Sequence, residues 1–137
     1  LGAGSECDIT LGGVKNRIGF EVGSLRNRAG YSRRLGGDRR GWQGNLFWQR
    51  AVGSGQLVGQ YQYTKFDDEE GYSLLFNNGA KRRENLHSVY LSYTAPLTSF
   101  GPTARFVGTA AYHNQTSSIA LFRTRGASME FGVVWGF

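Results

Sequence analysis

The chain has little of what most soluble folds rely on. Its one cysteine, Cys7, cannot form an internal disulfide, and a single thiol cannot build a metal site. Its two prolines, Pro96 and Pro102, fall in one short stretch, so almost the whole backbone keeps its hydrogen-bond donors. Apolar residues reach only 39% of 137, low for a soluble core of that size. No run approaches the ~18 consecutive apolar residues of a membrane-spanning helix, which excludes one. The sequence opens at Leu1 with neither methionine nor a charged-then-apolar leader. That start is expected of a mature chain after signal-peptide removal, or of a piece of something longer.

What the chain does have is glycine, with 21 residues, and aromatics, at 14%. Glycine-rich, aromatic-rich and moderately hydrophilic is the composition of a β-barrel with one lipid face and one polar lumen face. The net charge of +6 comes from 16 Lys and Arg against 10 Asp and Glu. A basic balance points to nucleic acid or to anionic lipid.

The final stretch organises the reading. Ala127, Met129, Phe131, Val133, Trp135 and Phe137 fall on one face of a strand, and Ser128, Glu130, Gly132, Val134 and Gly136 on the other, because strand side chains alternate with period two. A terminal strand that ends on a bare aromatic suits a membrane interface better than a fraying end in water. Glu130, Gly132, Trp135 and Phe137 resemble the C-terminal signal of bacterial outer-membrane barrels. In that group the signal is read by the barrel-assembly machinery.

Similar alternation recurs upstream. Weak strands are predicted over Ile9–Gly13, ending near Asn16, and at Tyr31, Arg33 and Leu35; a better one covers Ile18–Val22. Trp42, Gly44, Leu46 and Trp48 face away from Gln43, Asn45, Phe47 and Gln49. Leu57, Gly59, Tyr61 and Tyr63 oppose Gln60, Gln62 and Thr64. Val89, Leu91, Tyr93 and Ala95 oppose Ser88, Tyr90, Ser92 and Thr94, and Phe106 alternates with Arg105 and Thr109. Trp48, Tyr61, Leu91, Phe106 and Val133 are expected to share the lipid-facing side, with Gln49, Gln60, Ser92, Thr109 and Glu130 on the other. Tight turns at 53–55 and 96–102 alternate with longer loops expected at 35–41, 67–83 and 114–125. Outer-membrane barrels have this asymmetry, short periplasmic turns and long outer loops.

Candidate chemistry is sparse. His87 and His113 lack partners at metal-ligand spacing. A lipid-modifying enzyme needs a nucleophile, a base and an orienting acid within reach. The visible set is His113, Ser117 or Ser118, and Glu130, and a hairpin folded about residue 119 puts Glu130 several residues from His113. No catalysis and no cofactor are expected. Arg33, Arg34, Arg39, Arg40, Arg82 and Arg83 map to the outer loops, level with lipopolysaccharide phosphates, which guanidinium binds bidentately. They serve equally well as charges that keep a rim hydrated. Arg17, Glu21 and Arg105 have lumen parity, where charges pair with one another or tune a pore.

Gly71-Tyr72-Ser73-Leu74-Leu75, Lys81-Arg82-Arg83-Glu84-Asn85, Ser117-Ser118-Ile119-Ala120-Leu121-Phe122 and the stretch from Met129 to Phe137 resemble the C-terminal barrel of the surface lipoprotein assembly modifier family. The resemblance covers roughly residues 57–137; residues 1–40 give none. It implies movement of lipoprotein or other cargo across the outer membrane, with other barrel strands or a periplasmic helical-repeat region, which this sequence does not contain, as partners.

The expected fold is therefore all-β: an antiparallel transmembrane β-barrel of about eight strands, or the C-terminal strands of a larger barrel. The expected location is the bacterial outer membrane. The expected partners are its lipid, lipopolysaccharide and, during insertion, the assembly machinery. The expected role is transport or assembly, with a small structural or pore-forming barrel and a lipid A-modifying enzyme as alternatives. A nucleic-acid-binding β-domain would place aromatics beside Arg and Lys. Here they sit beside Leu, Val, Ala and Gly.

Overall fold

A computed structural model describes residues 1–30 and 35–136, apart from the side chain of Asn77. The described chain is all-β. Seven strands follow in sequence order: β1 (Gly2–Leu11), β2 (Val14–Asn27), β3 (Arg39–Val52), β4 (Gly55–Ser73), β5 (Phe76–Pro96), β6 (Ala104–Ser117) and β7 (Thr124–Trp135). Each pairs antiparallel with the next, in one sheet of order β1-β2-β3-β4-β5-β6-β7. The sheet is open, since β1 and β7 each have a neighbour on one side only.

The turns follow from local chemistry. Gly12 and Gly13 both take positive φ, 59° and 76°, as a two-residue hairpin turn whose twist matches its strands requires. Gly53 at φ 59° opens the β3–β4 turn. Single 3-10 turns lie at Thr98–Phe100 and Ala120–Phe122.

Several expectations are corrected. β1 and β2 are long, and the break between them is the Gly12-Gly13 turn rather than a fading strand near Asn16. The charged stretch 67–83 is no loop: β4 and β5 run through it, turning only at Leu74-Leu75. Its Asp and Arg residues face each other across the pair, Asp67 opposite Arg83. The expected loop 114–125 shrinks to 118–123, because β6 continues to Ser117. The weak strand at Tyr31, Arg33 and Leu35 lies largely outside the described residues, and Leu35 sits in a turn. Seven strands, not eight, are described.

Cross-strand partners share a face, so the register sorts every side chain. Trp48, Tyr61, Leu91, Phe106 and Val133 fall on one face, and Gln49, Gln60, Ser92, Thr109 and Glu130 on the other, as the alternation requires. Among the described residues no second layer covers either face. Among the described residues the buried hydrophobics are only Ala104 and Ile119, whereas Asn16, Thr64, Asp68, Arg82, Glu84 and Ser117 are buried polar or charged. This sheet has no hydrophobic core of its own.

Gly41 of β3 leaves no room for a side chain against β4. A methyl group there would overlap the Lys65 carbonyl oxygen and lie 2.9 Å from the Phe66 ring. Gly41→Ala is expected to destabilise by about 1–3 kcal/mol, the usual cost of overpacking, with the loss of amide protection centred on Lys65 and Phe66. Gly132→Ala, where an added methyl meets nothing within 4 Å, is the control expected to change little.

Candidate functional site

The apolar face carries two aromatic rows. In the first, the Trp42 and Tyr63 rings are 4.8 Å apart, and those of Tyr63 and His87 also 4.8 Å. The Tyr61 hydroxyl lies 2.8 Å from His87 Nδ1, and the Tyr63 hydroxyl donates to Asn85 at 2.9 Å. In the second, the Tyr93, Phe106 and Phe131 rings follow at 6.5 and 6.3 Å, with Trp135 beyond, opposite Ala104. Trp48 faces the same way and donates its indole N–H to Asn16 at 3.2 Å.

Between the rows the face holds no Asp, Glu, Lys or Arg. It is built from Phe20, Leu46, Gly59, Leu91, Ala110 and Met129 with their apolar neighbours. On this face the apolar span covers 104–112 in β6, before Asn114, and 127–135 in β7, after Arg125, matching the ~9–11 residues of a tilted membrane strand. Charges return on that face at and beyond the rows, with Lys65 directly opposite Trp42 and Arg50 level with Tyr93. Arg40 pairs with Glu69, Lys65 lies 3.7 Å from Asp67, and Arg83 lies 3.9 Å from Asp67. Arg125 stands over the Tyr112 ring at 5.7 Å.

The opposite face carries the polar side chains, with Phe47, Val58, Tyr90 and Val107 among them, and Gln60 donates to Asn45 at 3.0 Å. Arg17 sits 3.1 Å from both Glu6 and Asp8, so one of the expected polar-face charges does pair. Toward the β4–β5 hairpin a buried network forms. Asp68, its side chain 1% exposed, takes Arg82 at 3.1 and 3.3 Å. It also lies 3.2 Å from Arg39 Nε, without hydrogen-bond alignment. Glu84 pairs with Arg39 and lies 3.7 Å from Arg82. Two cations and two anions balance, so the network has no surplus charge to attract an ion. Arg82 is held between the Tyr72 and Phe122 rings at 4.7 and 4.5 Å, and Arg39 lies 4.6 Å over Phe66. The connection after β6 folds down onto this cluster. Gln115 donates to the Phe122 carbonyl at 2.9 Å, and Arg123 to the Ser117 carbonyl at 2.8 Å.

The arginines expected at lipid phosphates therefore separate. Arg39 and Arg82 turn to the polar face and are held in ion pairs, Arg82 buried and Arg39 half-buried. Arg40 and Arg83 are exposed on the apolar-face side, beyond the first aromatic row. Arg33, Arg34 and Phe137 lie outside the described residues. Of the terminal signal, Glu130 and Gly132 lie on the polar face opposite Thr109 and Val107, and Trp135 lies on the apolar face. No backbone approaches Gly132 closely, since the space beside it is open.

The structure does not assemble the His113, Ser117 or Ser118, and Glu130 set. Glu130 lies opposite Thr109, and Ser117 is displaced from His113 the other way along β6. Each step of four residues is about 13 Å at ~3.3 Å per residue. Ser118 is engaged instead with the Arg83 N–H and the Lys81 carbonyl. Among the described residues no three His, Cys, Asp or Glu side chains gather as metal ligands.

In the β2–β3 connection Asp38 accepts the Ala29 N–H at 2.8 Å and lies near Arg26, contacts that hold its carboxyl below the ordinary value. The residues that alternation alone missed are Asp68 and Glu84. Their signal was the pair of opposite-charge runs, Asp67-Asp68-Glu69-Glu70 and Lys81-Arg82-Arg83, on either side of Asn78-Gly79. Comparison with protein-family models, with curated proteins and with solved structures gives no match.

Proposed function

We propose that this sheet is part of the wall of an antiparallel β-barrel in a bacterial outer membrane, with a transport or assembly role that moves lipoprotein or other cargo toward the cell surface. The observation that carries the reading is the segregation of the faces, one charge-free between two aromatic rows and the other polar. An exposed apolar face this extensive calls for an apolar surrounding, and aromatic girdles bound the hydrocarbon in barrels of this class. The short turns at Gly12-Gly13 and Gly53-Ser54 lie at one end of the sheet. In this reading that end is periplasmic, and the projecting β4–β5 hairpin is extracellular.

Arg40 and Arg83 then stand at the height of lipopolysaccharide phosphates. Replacing both by Gln is expected to weaken binding to lipopolysaccharide vesicles and to flatten its salt dependence, because exposed charge contacts are screened. Unchanged binding removes the phosphate role. The transport role is tested by deleting the gene and measuring protease-accessible lipoprotein on intact cells. Loss restored by the wild-type gene supports transport. Unchanged display, together with ion conductance in planar bilayers, would make the protein a pore instead.

A further inference from the structure

Seven consecutive antiparallel strands have a consequence for closure. β1 and β7 run in the same direction, so joining them directly would create a parallel seam. Both edges are prepared for pairing. β1 contains no proline, lysine or arginine, and its register to β2 is unbroken. From Ala127 onward β7 carries no basic residue or proline, and it pairs with β6 without a bulge. Charged side chains, lysine above all, proline and bulges are the usual devices that keep an exposed edge from accepting another strand. Glu6, Asp8 and Glu130 are edge charges, but all three stand on the polar face, and Glu6 and Asp8 are each paired with Arg17 of β2. Met129 and Phe131 of β7 are 66% and 68% exposed, against 45% for Leu91 in a central strand.

We infer that β1 and β7 each pair with a further antiparallel strand, and that an odd number of such strands joins the two edges into a closed wall. This rests on the barrel reading. A single strand or several satisfy it, provided that each alternates polar and apolar residues in phase with its edge neighbour. A second copy does not. In one membrane orientation, β7 of one copy would meet β1 of the next in the parallel sense. Pairing β1 with β1, or β7 with β7, would invert one copy across the membrane.

The test uses the intact protein in outer-membrane vesicles, with amide exchange and cross-strand Hα–Hα contacts, which antiparallel pairs bring close, measured by magnetic resonance. The expected result is that the edge-directed amides of β1 and β7 are protected to the level of β4. Each edge should also show antiparallel contacts to residues outside β1–β7. Free exchange at alternate amides of either edge overturns the inference. So do contacts between β1 and β7 themselves, an even number of joining strands, or contacts between labelled and unlabelled copies. Free edges in a protein whose tryptophans are quenched by brominated lipid reject this inference alone. Absence of that quenching rejects the membrane reading.

Discussion

Leu91→Arg is expected to destabilise the protein in a bilayer by about 2–4 kcal/mol, the cost of a cation near the midplane of a barrel's lipid face. Leu91 lies midway between the two aromatic rows, opposite Gly59 on one side and Ala110 on the other. No residue of opposite charge shares the face there. Ser92→Arg, one position on, faces Val58 and Thr109 on the polar side and is the matched control. If water bathed both faces, the two variants would behave alike, since exposed substitutions usually stay within about 0.5 kcal/mol. Denaturant unfolding of both variants in the same lipid separates the cases, because the expected difference is several times the control effect.

The second large effect belongs to Asp68. Removing its charge in Asp68→Asn leaves Arg39 and Arg82 to share Glu84 alone, in a site almost closed to water. Breaking a buried ion pair by removing one partner costs about 3–5 kcal/mol, most of it the penalty for the charge left behind. Glu69→Gln removes the partner of Arg40, whose side chain is 67% exposed, and is expected to cost no more than about 1 kcal/mol. Equilibrium unfolding of both variants is the measurement. A small effect for Asp68→Asn would mean that water reaches the cluster. The cycle with Arg82→Met apportions the coupling, because neighbours in one network are not additive.

Much of this architecture was legible from period two alone. Which residues share a face depends only on odd or even position within a strand, so Trp48, Tyr61 and Leu91 could be grouped before any register was known. The turn at Gly53-Ser54 was legible because positive φ needs glycine. The hairpin through 67–83 was not. Its alternation is between charges rather than between polar and apolar residues, so it reads as a solvated loop until Asp67 is seen opposite Arg83. For the same reason the arginines looked equivalent. Only pairing distinguishes Arg82, locked between Asp68, Glu84 and two rings, from the exposed Arg83 beside it. The edges were invisible too, because a strand has the same pattern whether or not a neighbour lies beside it.

The central claim is that the apolar face meets hydrocarbon, and the protein carries its own probe. All three tryptophans lie on that face: Trp42 and Trp135 in the aromatic rows, and Trp48 between them beside Gly59, level with Leu91. Their fluorescence should be recorded in vesicles whose acyl chains carry bromine at shallow or deep positions, and with iodide in the water. Strong quenching by brominated lipid at both depths, with little quenching by iodide, is the expected result. Full emission in brominated lipid with strong iodide quenching would contradict it.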